Sequence, residues 1–277
     1  MYEIENINAS KQGTYRITAT HPQAPSLTIS SRNVNIMAKT NLFGTVYADD
    51  NNTLLTDGDV IIYRLKDGPF IPEDTAQVDA SGKFSFTDLV LGDFIILTQP
   101  NRAIFPSTIQ TYYKQAESYE DATVLEVRER MEGGDIKMVF YAEPPVEIGA
   151  SLSGELQSDL NETEIGDEEA RINARRKVKK AGCSMRRFVR AGRTDQDGEY
   201  ILYAYVESDD EGRFNFSGIE PGTYRLNIEY PGVPMDPSAE IEFIIRDDGS
   251  SQKFEVFALI TEDGIFVEST EVLGAPL

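Results

Sequence analysis

The chain has one histidine, one cysteine and no tryptophan in 277 residues, and each scarcity removes a class of function. His21 stands alone, so no multi-histidine metal centre can be built, and it has no cysteine or acid arranged with it for nucleophilic catalysis. Cys183 also stands alone. With no intrachain disulfide available, the fold must rest on burial and on sheet hydrogen bonds. No run approaches the ~18–20 apolar residues of a membrane helix, and the first twenty residues lack the basic-then-apolar pattern of a signal peptide. We therefore expect no membrane span, and any export signals to lie outside this sequence. Positive charge is scarce too. Lys plus Arg number 26 against 47 for Asp plus Glu, a net charge of −21, which repels phosphate backbones and argues against a nucleic-acid partner.

Helical periodicity is missing as well. The nearest candidate, residues 111–130, is broken by polar and β-branched residues, so almost no helix is expected. What fills the chain is short runs of Val, Ile, Tyr, Phe and Thr between turn signals such as Ser81-Gly82, Asp197-Gly198, Glu211-Gly212 and Asp263-Gly264, the pattern of an all-β protein.

These runs repeat. Phe84, Phe86, Leu89, Gly92, Phe94 and Ile96 align without gaps on Phe214, Phe216, Ile219, Gly222, Tyr224 and Leu226. Tyr2, Ile4 and Ile7 followed by Gly13-Thr14-Tyr15 give the phrase a third time, with three residues inserted. An alternating strand presents its aromatics to a core, a glycine makes the turn, and the next strand returns antiparallel. Each full copy opens with a glycine-containing strand, around Gly44 and Gly154. The expected organisation is a partial, C-terminal-half sandwich at 1–38, a sandwich at 41–142, a second at 151–269 and a tail at 270–277. Pro144-Pro145 is a stiff linker. The glycines lie 48 positions apart from Gly44 to Gly92 and 68 from Gly154 to Gly222, so the second sandwich is expected to carry an inserted basic hairpin at about 171–208.

The glycine strand, a Val-rich strand, a T-D-x-D-G-x-Y/F turn and a G-T-Y-x-L strand together resemble the carboxypeptidase regulatory-like, prealbumin-like and Cna B-type families. That resemblance implies tandem seven-stranded, Ig-like β-sandwiches. The phrases around Thr111-Tyr112-Tyr113 and Leu226 to Asp236 resemble repeat modules of large proteins exported by the type IX secretion system of gliding gram-negative bacteria. They imply an extracellular or cell-surface location and neighbouring domains of a parent protein as partners. Cna B-type domains often carry a Lys–Asn crosslink; the Lys and Asn it needs are absent from the opening and closing strands.

Two groups of residues are candidate sites. Asp195, Asp197, Asp209 and Glu211 gather carboxylates on two turns, which is the chemistry calcium selects, although Asp also favours turns for its own geometry. Calcium is the one cofactor these residues suggest. Residues 171–193 carry ten Lys or Arg and no acid. Arg175, Arg176, Lys177, Lys179, Lys180, Arg186, Arg187 and Arg190 form a patch suited to an acidic polysaccharide, anionic lipid headgroups, another surface protein or an acidic neighbouring domain, or else a solvated amphipathic ribbon. Cys183 is placed at a hairpin tip, either as a turn filler or as a thiol whose pKa nearby bases would lower. The tyrosines Tyr112, Tyr113, Tyr203 and Tyr205 are either core residues or a sugar-binding platform. No catalytic residues are proposed. The expected function is a non-catalytic stalk, spacer or adhesive module, with carbohydrate or calcium binding as the alternative.

Overall fold

The computed structural model describes residues 12–48, 52–66, 68–128, 131–141, 149–160, 175–190, 198–235, 240–248 and 252–273. The linker at Pro144-Pro145 and the turn carboxylates Asp195 and Asp197 lie outside them. All regular structure among the described residues is β.

Two sandwiches follow one plan. In the first, β5 (Lys39–Tyr47) pairs with β8 (Lys83–Val90) and, in parallel, with β12 (Met131–Lys137). The facing sheet orders β10 (Thr111–Tyr112), β9 (Gly92–Pro100), β6 (Gly58–Arg64) and β7 (Pro72–Gln77), with β11 (Leu125–Val127) also on β9. In the second, β13 (Ala150–Ser158) pairs with β17 (Arg213–Ile219) and, in parallel, with β20 (Gln252–Ile260), while β14 (Arg176–Lys177) and β21 (Ile265–Leu273) extend that sheet. Its facing sheet orders β16 (Gly198–Glu207), β15 (Gly182–Arg190), β18 (Gly222–Glu229) and β19 (Glu242–Ile245). Seven strands correspond one to one; β10, β14 and β21 are additions.

The repeated phrase fixes the same register twice. Leu42 faces Phe86 and Gly44 faces Phe84; Leu152 faces Phe216 and Gly154 faces Phe214. The glycine in the opening strand has a steric reason. A Cβ at Gly154 would sit 2.4 Å from the Phe214 ring and 2.8 Å from the Val256 carbonyl oxygen, so only glycine lets the aromatic cross over strand β13. Behind these rows lie two cores. One holds Leu42, Phe86, Phe94, Ile96 and Ile136; the other holds Leu152, Phe216, Tyr224, Leu226 and Val256.

The structure corrects the expected insertion. The described part of the basic segment is no added hairpin: β15 is a central strand, hydrogen-bonded to β16 on one side and to β18 on the other. It is the counterpart of β6. Cys183-Ser184-Met185 in place of Val60-Ile61-Ile62, with Arg186-Arg187 directly after, concealed the equivalence. Most of the extra length lies ahead of it, since 14 positions separate Gly44 from Gly58 but 28 separate Gly154 from Gly182. Cys183 is likewise not at a tip. It is buried in β15, paired with Val206 and Ile228, and burial raises its thiol pKa instead of lowering it.

Before the first sandwich runs a two-stranded ribbon. β1 (Gly13–Tyr15) pairs with β4 (Val34–Ile36), and β2 (Thr18–His21) with β3 (Ala24–Ser30). His21 lies exposed in it.

Candidate functional site at the junction of the sandwiches

Of the residues that sequence patterning singled out as sites, Lys180, Arg186, Tyr112 and Tyr205 meet at the seam between the two sandwiches. β9 explains why a seam forms. Its run Phe94-Ile95-Ile96-Leu97 is buried throughout, because Phe94 and Ile96 point into the core while Ile95 and Leu97 belong to a second cluster on the outer face with Tyr63, Phe70 and Tyr112. An apolar outer face needs a cover. Tyr112 and Tyr119, from the excursion between β9 and β11, lie over it.

The second sandwich closes onto this cover through Glu229, at the end of β18. Its Oε1 accepts a hydrogen bond from Tyr112 Oη at 2.9 Å and another from the Tyr119 backbone N–H at 3.1 Å. Burial raises the Glu229 carboxyl from its ordinary 4.5 to about 7; the two hydrogen bonds oppose that shift, and the charges of Glu120 and Asp121 reinforce it. Beside it the Phe70 N–H donates to the Pro231 carbonyl at 3.1 Å. Gly232 follows, with φ +81. A Cβ there would meet the Gly68 carbonyl oxygen at 2.6 Å and the Phe70 nitrogen at 2.7 Å, so the backbones touch where only glycine fits.

A second cluster holds the other end of the seam. Ile109, Tyr141 and Tyr205 are buried together. The Arg102 guanidinium lies 5.0 Å from the centre of the Tyr205 ring and donates to the Tyr205 carbonyl at 3.0 Å, the Pro106 carbonyl at 2.7 Å and Tyr141 Oη at 2.8 Å. Tyr141 Oη donates in turn to the Tyr205 carbonyl at 3.2 Å. Next to it a polar cleft of about 330 Å³ is lined by Asp57, Asp59, Asn101, Arg102, Lys180 and Glu207.

The basic residues are distributed along this frame instead of forming one open patch. Lys180 pairs with Asp59 across the seam at 3.5 Å, and Arg186 with Glu117, also across it. Within the second sandwich Lys177 pairs with Glu155, Lys179 with Asp210 at 3.8 Å, and Arg187 with Glu220 at 2.8 Å. Arg176 and Arg190 are exposed and Arg175 half-buried. Strand alternation splits the positions between faces, which a count of charges along the sequence does not show.

Two other groups of candidates have structural roles. Tyr112 and Tyr205 are buried and Tyr203 packs against Tyr224, so these tyrosines present no platform for a sugar. Asp209 uses its Oδ1 on its own turn, accepting from the backbone N–H groups of Glu211 at 3.0 Å and Arg213 at 2.7 Å. Asp79 does the same for Ser81 and Lys83 in the first sandwich. The carboxylate recurs because the turn requires a cap. Among the described residues no three His, Cys, Asp or Glu side chains gather to hold a metal.

Arg102, Tyr141 and Glu229 are seam residues that the sequence reading missed. The available signal was the four apolar residues in succession in β9, where the equivalent stretch of β18 alternates Tyr224, Arg225, Leu226 and Asn227.

No family model matches the chain. It is 22% identical over 261 residues to serine-aspartate repeat-containing protein D of Staphylococcus aureus strain Newman, covering 88% of this chain and 18% of that protein; the same protein from strain MW2 matches equally. The chain thus spans less than a fifth of the length of these curated relatives. Similar solved structures include a streptococcal ancillary pilin (15% identity, TM-score 0.26, 81% of this chain and 62% of that one). Sea bream transthyretin aligns at 13% identity and TM-score 0.29 over 46% of this chain and 98% of its own. The minor pilin GBS52 of Streptococcus agalactiae aligns at 15% and 0.24 over 86% and 99%. Superpositions that loose carry no argument, and the fold assignment rests on the strand pairing of this chain.

Proposed function

We infer that the chain is a non-catalytic structural segment, a stalk or spacer, of an extracellular or cell-surface protein, and that its two sandwiches work as one stiff unit. The observation that carries this is the seam, where a buried carboxyl of the second sandwich accepts hydrogen bonds from the Tyr112 hydroxyl and the Tyr119 backbone N–H of the first. Tandem domains joined only by a flexible linker leave their facing surfaces wet, and relative motion is then the default. Here Tyr112, Tyr141, Tyr205 and Glu229 are buried at the contact. A segment built in this way transmits force and direction between whatever lies at its two ends. The similarity to a serine-aspartate repeat protein over most of this chain supports a repeat-bearing parent, and the resemblance to modules of type IX-exported proteins supports a place outside the cell.

The test combines small-angle scattering with chemical unfolding of the intact chain. The unaltered protein is expected to unfold in one transition. Gly232→Ala, which forces a methyl group between touching backbones, is expected to split the transition in two and to enlarge the radius of gyration. Two independent transitions in the unaltered protein would overturn the reading.

A further inference from the structure

The two-stranded ribbon ahead of the first sandwich repeats a ladder found inside both sandwiches. In the second, Gly222 pairs with Ile245, Thr223 with Ile244 and Tyr224 with Phe243. In the ribbon, Gly13 pairs with Ile36, Thr14 with Asn35 and Tyr15 with Val34. Both glycines have their partner 23 positions on. The first sandwich gives the same order, with Gly92 on Val127 and Phe94 on Leu125. Three times, then, an aromatic two residues after a glycine stands opposite an apolar residue.

The environments differ. Phe94 and Tyr224 are 0% exposed and their partners are buried, whereas Tyr15 is 38%, Val34 56%, Ile17 63% and Ile29 71% exposed. Counting from the glycine, Tyr15, Ile17 and Ala19 occupy the places of Tyr224, Leu226 and Ile228, all buried in the second core. Ala19 faces Ile29. The opposite face of the ribbon is polar and internally bonded, with Thr14 to Asn35 at 2.6 Å and Thr18 near Ser30 and Thr20 near Thr28, each at 3.4 Å. One face is thus built for water and the other for a core. A two-stranded ribbon with one exposed apolar face is marginal by itself.

The complete copies show what covers that face. In each, the strand that opens with the glycine is joined along its other edge by the second strand of the copy: β6 lies on β9, with Ile62 opposite Ile96, and β15 on β18, with Met185 opposite Leu226. The opening strands β5 and β13 then close the core with Leu42 and Leu152. A folded second copy of this chain has no such strands to offer, because β5, β6, β13 and β15 are already committed to their own cores.

We propose that the apolar face and outer edge of the N-terminal ribbon are the acceptor for the opening half of another sandwich of this same repeat, whose β6-like strand adds to β1 and β2 as β6 adds to β9. Main-chain pairing supplies the edge contact, and alternate apolar side chains supply the selectivity. The partner is recognised by an extended strand with apolar residues at every second position that would sit opposite Ile17 and Ala19.

The test uses the full chain and a synthetic peptide copying residues 56–66, which contain β6, with a scrambled peptide as control. Hydrogen exchange is followed along the chain. The β6 peptide is expected to slow exchange of the amides in residues 13–21 by about tenfold or more, and the double variant Ile17→Asp with Ile29→Asp to abolish that protection. The scrambled peptide should leave it unchanged. No protection at saturating peptide, or equal protection in the double variant, overturns the proposal. So does a dimer in sedimentation that the double variant dissolves, which assigns the face to a second copy. Cooperative unfolding of the two sandwiches, which tests the stalk reading, is read separately and is independent of either result.

Discussion

In the first sandwich the central strands read Val60-Ile61-Ile62-Tyr63 and Phe94-Ile95-Ile96-Leu97, apolar on both faces; in the second, Cys183, Met185, Tyr224 and Leu226 alternate with Ser184, Arg186, Arg225 and Asn227. The ladders are equivalent and the inner faces are packed alike. Only the outer faces differ, and that difference decides which sheet is covered. A sheet apolar on one side needs one layer over it; a sheet apolar on both needs two. The second layer of the first sandwich consists of its own excursion at 101–124 and, beyond it, the neighbouring sandwich. The lesson is that two copies of one fold become a jointed pair through the half of each strand that the fold itself leaves unspecified.

The comparison is most sharply broken at Leu97 and Asn227, which occupy the same place in β9 and β18. Leu97→Asn, a polar group put into the covered outer face, is expected to cost about 3 kcal/mol, while Asn227→Ser is expected to stay within about 0.5 kcal/mol; urea unfolding of the two variants measures both. Equal losses would mean that the outer faces are equivalent after all.

Next in size is the pH response of the seam. Because burial raises the folded Glu229 carboxyl to about 7, the folded state holds a proton that the unfolded chain releases near 4.5. The contribution of Glu229 to stability is therefore full below 4.5, falls as pH rises from 4.5 to 7, and levels off above, a total of about 3 kcal/mol. Glu229→Gln should flatten this slope in a pH series of unfolding curves. An unchanged slope would place the titrating group elsewhere.

Gly154→Ala puts a methyl group against the Phe214 ring and the Val256 carbonyl and is expected to destabilise the second sandwich by about 1–3 kcal/mol, whereas Ser153→Ala, half a pleat away on the other face, should have little effect. Thermal melts of the two separate these outcomes. The smallest effect belongs to the exposed charges. Lys180→Ala removes the 3.5 Å pair with Asp59 and should shift stability by no more than about 0.5 kcal/mol; a larger loss would promote that pair from ornament to part of the joint.

Much of this was legible in the residues themselves. Phe84 and Phe86 against Phe214 and Phe216, each followed by a glycine and an aromatic, showed the repeat shared by the two sandwiches. The basic strand β15 was misplaced because its charge hid its equivalence to β6, and a strand is defined by what it pairs with as much as by its own composition. Cys183 was misread for the same reason: three arginines and a phenylalanine follow it closely in sequence, but strand alternation sends its side chain to the core and Arg186 to the other face.

The sequence by itself determined the all-β class, the repeated ladder and the glycines on which it turns, because alternation, turn chemistry and close backbone approach are written in neighbouring residues. Only the tertiary structure decided the seam. Arg102, Tyr112 and Tyr141 meet Tyr205 and Glu229 across separations of 64 to 117 positions, and no local pattern records a contact whose two halves become neighbours only after each sandwich has closed.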